Sequence, residues 1–185
     1  MKQVILKKGK AFVEECPAPF AEVGSLLVAV EYSCISVGTE MSGLRNSALP
    51  LWKRAMQQPE NFKKGLQMMS EQGLAKTWSF VNSKLESGNA VGYSAAGRVI
   101  EVGAGVQGFE VNDLVACAGA GYASHAEFIR VPQNLLVKVP QGVETQEAST
   151  VTLVAIALQG VRRAQPTLGE TFVVVGMGIL GQLTA

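Results

Sequence analysis

Three glycines near the end of the chain, Gly176, Gly178 and Gly181 in VVVGMGILG, have the spacing G-x-G-x-x-G. That spacing suits phosphate binding. The first glycine makes a tight turn out of a strand, the second lets a pyrophosphate approach the backbone, and the third lets the following helix pack close to the strand. Free N–H groups at the start of that helix then face the phosphates. The spacing alone also fits a plain glycine turn between two elements. Its context favours the cradle, because Phe172–Val175 reads as a buried strand and Gln182–Ala185 has residues that begin a helix. The candidate dinucleotide-binding residues are therefore Gly176, Met177, Gly178, Ile179, Leu180 and Gly181. The acidic residue that holds the adenosine ribose is expected about 20 residues past such a loop. That is beyond Ala185, so NAD and NADP are not told apart.

The residues able to bind metals or act as nucleophiles are few. The 185-residue chain has three cysteines, Cys16, Cys34 and Cys117, and one histidine, His125, with no CxxC or HxxxH pair. Three scattered cysteines argue against a disulfide framework, and a four-thiolate zinc site cannot be built from them. For His125, a solvent-facing or core-edge place is the better expectation than a ligand or a base.

The composition limits the partners. A net charge of +1 supplies no field for nucleic acid or acidic lipid. No apolar run reaches the roughly 18 residues of a membrane span, and the N-terminus is too charged for a secretory core. A cytoplasmic protein with a small-molecule substrate is expected. Apolar residues make up 48% of the chain and charged residues 17%. Such a chain buries much of itself or is covered by a partner.

The elements that must position these residues are mainly strands. QVILK, KAFVEE and SLLVAVEYSCIS are short runs separated by Gly or Pro turns, and strands resume at Ala95 with AAGRVIEVGAGVQGFEVNDLVACAG, AEFIRVP and LLVKVP. Their spacing suggests a closed or nearly closed barrel. Residues 41–89 break the pattern: Trp52, Met56, Phe62, Leu66, Met69, Leu74, Trp78, Val81 and Leu85 fall mostly at helical spacings, which predicts two or three short helices. From Thr145 to Ala164 one long helix is expected, capped by Thr145, with Glu147 in its first turn and Arg162 and Arg163 in its last.

ISVGTE (35–40), VGYSAAGRVIEVGAGVQGFEVNDLVA (91–116), ASHAEFIRVP (123–132) and GETFVVVGMGILG (169–181) follow one another as in the medium-chain dehydrogenase/reductase superfamily, the zinc alcohol dehydrogenase-like group, which this chain resembles outside residues 41–89. The resemblance implies a mainly β fold with helices. A GroES-like barrel over 1–144 carries a helical insertion at 41–89, a bridging helix and turn span 145–168, and a Rossmann NAD(P)-binding domain starts at 169–185. The chain would then be the N-terminal part of a longer protein. It also resembles bacterial bi-domain oxidoreductases, in which such a half precedes a sugar-dehydrogenase-like half.

Zinc members of the family place ligands where this chain has Val37, Tyr93 and, in the bridging helix, Thr152. The resemblance therefore implies a dehydrogenase that uses NAD or NADP and no zinc. Without a metal, another group must steady the developing oxyanion and move the proton. Thr39 matches the family's relay hydroxyl, and Tyr93 stands where a metal-bound histidine would point into the cleft. These two are the candidate catalytic residues. The competing reading is that Tyr93 fills the vacated pocket. Glu40 matches an acidic residue that orients a ligand in zinc relatives, and a turn-capping or salt-bridge role is the alternative.

The function expected is hydride transfer to or from an alcohol or carbonyl, a sugar derivative among the possible substrates, by a homo-oligomer when full length. Quinone or enoyl reduction is the nearest alternative. A non-enzymatic GroES-like binding module is the alternative of another class. The fragment by itself is expected to be inactive and to expose Leu153, Val154, Ile156, Leu158 and an unpaired strand at Phe172–Val175.

Overall fold

The computed structural model describes residues 1–49 and 88–185. The chain divides into two compact units, one made of Met1, Cys16–Ile35 and Gly92–Ala185, the other of Lys2–Glu15 and Ser36–Val91. Most of the helices expected within 41–89 lie outside the described residues.

The smaller described part is built on a hairpin. Strands β1 (Lys2–Lys7) and β2 (Lys10–Glu15) pair antiparallel from Lys2↔Glu15 to Lys7↔Lys10. The two-residue turn between them is Lys8 (φ 50°) and Gly9 (φ 77°), and positive φ at both positions matches the right-handed twist of the strands. Helix α1 (Val37–Ala48) packs on this hairpin, with the Gly9 N–H donating to Ser47 Oγ at 2.9 Å. The short β4 (Asn89–Ala90) pairs with Leu6 and Ile5, which are both buried. Helical backbone thus begins at Val37, four residues before the segment in which the sequence predicted it. A Gly-Thr-Glu motif gives little hydrophobic period to read.

The other unit is a five-stranded antiparallel sheet in the order β7-β3-β5-β6-β8. Its strands are β3 (Ser25–Ser33), β5 (Ser94–Val102), β6 (Leu114–Ala118), β7 (Phe128–Pro132) and β8 (Leu136–Lys138). The chain is mainly β with a few helices, and this sheet curls into a half-barrel. The core is formed by Leu26, Val28, Val99, Val115, Cys117, Ile129, Val131 and Leu136. Residues Ser25–Val28 are buried in unbroken succession, which is the pattern of a strand covered on both faces. The register between β3 and β5 shifts between Leu27 and Val28 and again between Val30 and Tyr32, and such irregularities bend a sheet. Gly97 permits the tightest approach: a Cβ there would stand 2.0 Å from the carbonyl oxygen of Ala29 on the neighbouring strand.

The single helix expected from Thr145 to Ala164 is two, α2 (Thr145–Ala148) and α3 (Val151–Ala164). Glu144 occupies the N-cap position with no side-chain cap bond, so Thr145 is the first helical residue and not the cap. The break follows from two hydroxyls. Ser149 Oγ donates to the Gln146 carbonyl and Thr150 Oγ1 to the Glu147 carbonyl, both at 2.7 Å, and such local bonds compete with the helical ladder. Gln165 ends α3 in the left-handed conformation (φ 49°), just before Pro166. Leu153 is buried on this helix, against expectation, while Val154, Ile156 and Leu158 are exposed as expected. Phe172–Val175 joins no sheet among the described residues. A parallel strand takes its backbone bonds from a neighbour, and none of the described strands supplies them.

The close approach at Gly97 generates a test. Gly97→Ala is expected to destabilise the protein by roughly 2–4 kcal/mol in urea unfolding, because the added carbon meets backbone that cannot move alone. Gly160→Ala, on α3 with open space around the added carbon, is expected to stabilise by about 0.5–1 kcal/mol.

Candidate functional site

The start of β5 holds the residues that the family comparison singled out. Gly92, Tyr93 and Ser94 lie between the end of β3, the loop after β6 and the break between α2 and α3. The Cys34 N–H donates to the Ser94 carbonyl at 2.9 Å, which ties the end of β3 to the start of β5. The Tyr93 carbonyl accepts twice, from the Gly119 N–H at 2.9 Å and from Thr152 Oγ1 at 2.9 Å. Ser94 is buried, and its hydroxyl does two jobs. It donates to the Ser149 carbonyl at 2.6 Å and accepts from the Thr152 N–H at 3.2 Å. A helix break leaves such carbonyls and amides without helical partners, and here one serine hydroxyl satisfies one of each. Tyr93 and Thr152, two of the three positions where a zinc relative has ligands, are therefore in one hydrogen-bond cluster.

His125 sits beside this cluster, buried at 9% exposure. Of the two places expected for it, solvent-facing or core-edge, this is the core-edge one. Its Nδ1 lies 2.8 Å from Ser33 Oγ, in a bond whose direction follows the imidazole tautomer. Gly92 has φ +97°, and a Cβ there would come within 2.8 Å of the His125 nitrogen and 3.0 Å of Nδ1. The backbone just before Tyr93 is shaped around the imidazole, and only glycine fits. Sequence reasoning passed over Ser33 and Ser149. For Ser149 the signal that could have found it is the Ser-Thr pair inside an otherwise apolar helix; for Ser33 there is none.

The described donors do not fit a zinc ion. Thr152 spends its hydroxyl on the Tyr93 carbonyl, and Ser94 spends its own on the helix break. Burial pushes the Cys117 thiol up to about 12, so it stays protonated at neutral pH, whereas a metal takes the thiolate. Among the described residues no three His, Cys, Asp or Glu side chains converge.

The remaining sequence candidates lie in the other unit. Ser36 is the N-cap of α1, and its N–H donates to Glu40 Oε1 at 3.1 Å. This is the capping role, one of the two alternatives the sequence left open for Glu40. Thr39 is exposed, with its Oγ1 3.5 Å from Ser36 Oγ, and Val37 is 70% exposed. Thr39 and Tyr93 thus belong to different units, and each is placed within its own.

The glycine loop has the close approach its spacing implied, but no strand leads into it among the described residues. Gly176 has φ +97°. A Cβ on Gly181 would lie 1.9 Å from the Gly176 carbonyl, so the third glycine is there for close approach. A Cβ on Gly178 would meet nothing within 4 Å, which leaves open space where a pyrophosphate would come to the backbone. Helix α4 (Ile179–Thr184) starts directly after Gly178, and Gln182 Nε2 donates to the Met177 carbonyl at 2.9 Å. Met177, Ile179 and Leu180 are exposed around the opening.

No family model matches the chain. D-guloside 3-dehydrogenase of Shigella flexneri is 36% identical over 101 residues, which cover 54% of this chain and 27% of that protein. Galactitol-1-phosphate dehydrogenase of Escherichia coli superposes with a TM-score of 0.72 at 16% identity, over 100% of this chain and 51% of the other. An alcohol dehydrogenase superfamily protein of Novosphingobium aromaticivorans superposes with a TM-score of 0.66 at 23% identity, over 100% of this chain and 48% of the other. The chain shares the fold of these dehydrogenases. It spans about a quarter of the length of the curated relative and about half that of the solved structures. In this fold Ser94 begins a strand of the half-barrel with Tyr93 directly before it, and the glycine loop follows the α2–α3 pair.

The clamp at Ser94 generates a test. Ser94→Ala is expected to destabilise the protein by about 1–3 kcal/mol in thermal or urea unfolding, because it strands the Ser149 carbonyl and the Thr152 amide. Amide exchange at Thr152 and Leu153 is expected to rise in the same variant.

Proposed function

We propose that the chain is part of an oxidoreductase that moves hydride between NAD or NADP and the hydroxyl or carbonyl carbon of a small molecule, without a zinc ion. The domain organisation proposed is a GroES-like part over 1–144, a bridging segment over 145–168 and the start of the cofactor domain at 169–185. A sugar derivative is the substrate class proposed, because the curated relative is a D-guloside 3-dehydrogenase. The observation that carries the proposal is the pairing of an open glycine cradle at Gly176, Gly178 and Gly181 with a hydroxyl-rich cluster in place of metal donors.

When bound, the dinucleotide supplies the acceptor or donor of hydride. Gly176, Met177, Gly178, Ile179, Leu180 and Gly181 would hold its diphosphate by backbone N–H groups. Tyr93 is proposed to donate a hydrogen bond from its phenol to the substrate oxygen. Its backbone is fixed by the two donors to its carbonyl, so little ordering is left for the bound state. A neutral donor aimed at an oxygen that gains negative charge in the transition state stands in for the Lewis acid of zinc relatives.

Two variants of the enzyme with its whole cofactor domain test it. Tyr93→Phe is expected to lower kcat about 10²-fold with dinucleotide affinity unchanged; turnover equal to wild type removes the catalytic role. Gly178→Val is expected to weaken dinucleotide binding at least about 10-fold in calorimetry, without a loss in Tm, because the open space at that carbon is filled. Unchanged affinity removes the cradle. If reduction of a quinone or of an activated C=C bond outpaces alcohol oxidation, the reductase alternative takes its place.

A further inference from the structure

We infer that Ser33 and His125 form the proton relay of this site: the Ser33 hydroxyl takes the proton from a substrate hydroxyl and passes its own to Nδ1 of His125. The inference rests on the oxidoreductase reading above and says where its proton goes. Oxidation of CH–OH to C=O removes two things. The hydride leaves carbon with its electron pair for the nicotinamide dinucleotide. The oxygen keeps the O–H electron pair, which becomes the second C–O bond, and its proton must go to a base. Carbonyl reduction runs the same path backwards, with the proton returning from His125 through Ser33.

The groups around Tyr93 leave few candidates for that base. Serine and threonine hydroxyls pass protons but do not hold them at neutral pH. The phenol of Tyr93 is already assigned as the donor to the substrate oxygen. Cys117 is buried in the core and keeps its proton. Imidazole alone takes and releases a proton near neutrality, and His125 is the single histidine of the chain. It is also held in place. Ser33 Oγ is 2.8 Å from Nδ1, and the ring lies against Gly92, whose φ of +97° leaves no room for a side chain. Gly92 directly precedes Tyr93, and the Tyr93 carbonyl is pinned by Gly119 and Thr152. Ser33 is only partly buried, whereas His125 is buried. That order, an accessible hydroxyl backed by an enclosed imidazole, is the order a relay needs. The ionisable side chains on the segments that meet the ring are Glu31, Tyr32 and Cys34 on the β3 side, Tyr93 beside Gly92, and Glu127 on its own segment.

The test uses the whole enzyme with NAD or NADP and three alcohol probes: propan-2-ol, butane-2,3-diol and methyl α-D-glucopyranoside. Ser33→Ala and His125→Gln are each expected to lower kcat about 10²-fold, to leave dinucleotide affinity unchanged, and to abolish the limb of the pH profile in which activity rises through the titration of an imidazole. Ser33→Thr, which keeps the hydroxyl, is expected to stay within about 5-fold of wild type. Independently of turnover, the Nδ1 resonance of His125 in nitrogen-15 spectra of this chain is expected to move in Ser33→Ala and to keep its place in Ser33→Thr. His125→Asn guards against a folding defect in His125→Gln, with Tm recorded for each. Wild-type kcat and an intact limb in either Ser33→Ala or a folded His125 variant overturn the relay while leaving the oxidoreductase reading in place. A wild-type enzyme that binds the dinucleotide but oxidises none of the probes and reduces none of the matching ketones overturns that reading, and the relay with it.

Discussion

The site depends on one buried hydroxyl. Ser94 joins the first residue of a core strand to the gap between two helices by donating to the Ser149 carbonyl and accepting from the Thr152 amide. Taking either bond away leaves a backbone group buried without its partner, and such a loss is dearer than an ordinary hydrogen bond is worth. The constraint spreads from there. Thr152 is brought to the Tyr93 carbonyl, Tyr93 is held between helix and loop, and Gly92 is pressed against His125. The half-barrel supplies a rigid wall for this, because Leu26, Val28, Val99 and Val115 are fully buried behind it.

On the proposed reading, hydrogen bonds stand where zinc relatives hold a metal, and that would change the chemistry the fold performs. A zinc ion draws charge off a substrate oxygen and acidifies the hydroxyl in one stroke. Side chains must divide those tasks. In the account proposed here the phenol of Tyr93 meets the oxygen, and the Ser33–His125 pair handles the proton. Both are fastened to the sheet that also carries the clamp. The glycine loop sits at the other end of the α2–α3 pair, with a helical start that a Cβ at Gly181 would abolish.

The sequence was readable where a local rule governs. The hairpin strands came from short runs parted by a turn, the β5–β6 pair from its glycine-rich turn, and the tight approach between Gly176 and Gly181 from the glycine spacing. The capping role of Glu40 was the alternative weighed against orienting a metal ligand. It was unreadable where distant segments decide. The groups freed at the Ser149–Thr150 break are met by Ser94, 55 residues earlier, which no local period shows. The burial of His125 depends on Ser33, 92 residues away. Leu153 was expected on an exposed face because helical period says which residues share a stripe, not which stripe meets the sheet.

The most direct measurement of the central claim is a calorimetric titration of zinc into the chelator-stripped protein, with tyrosine absorbance followed in parallel. The account predicts no stoichiometric binding and no change in the Tyr93 environment, since the Thr152 hydroxyl is already spent on the Tyr93 carbonyl and Val37 offers no donor. One tightly bound zinc per chain that is lost in Tyr93→Phe or Thr152→Ala would contradict it.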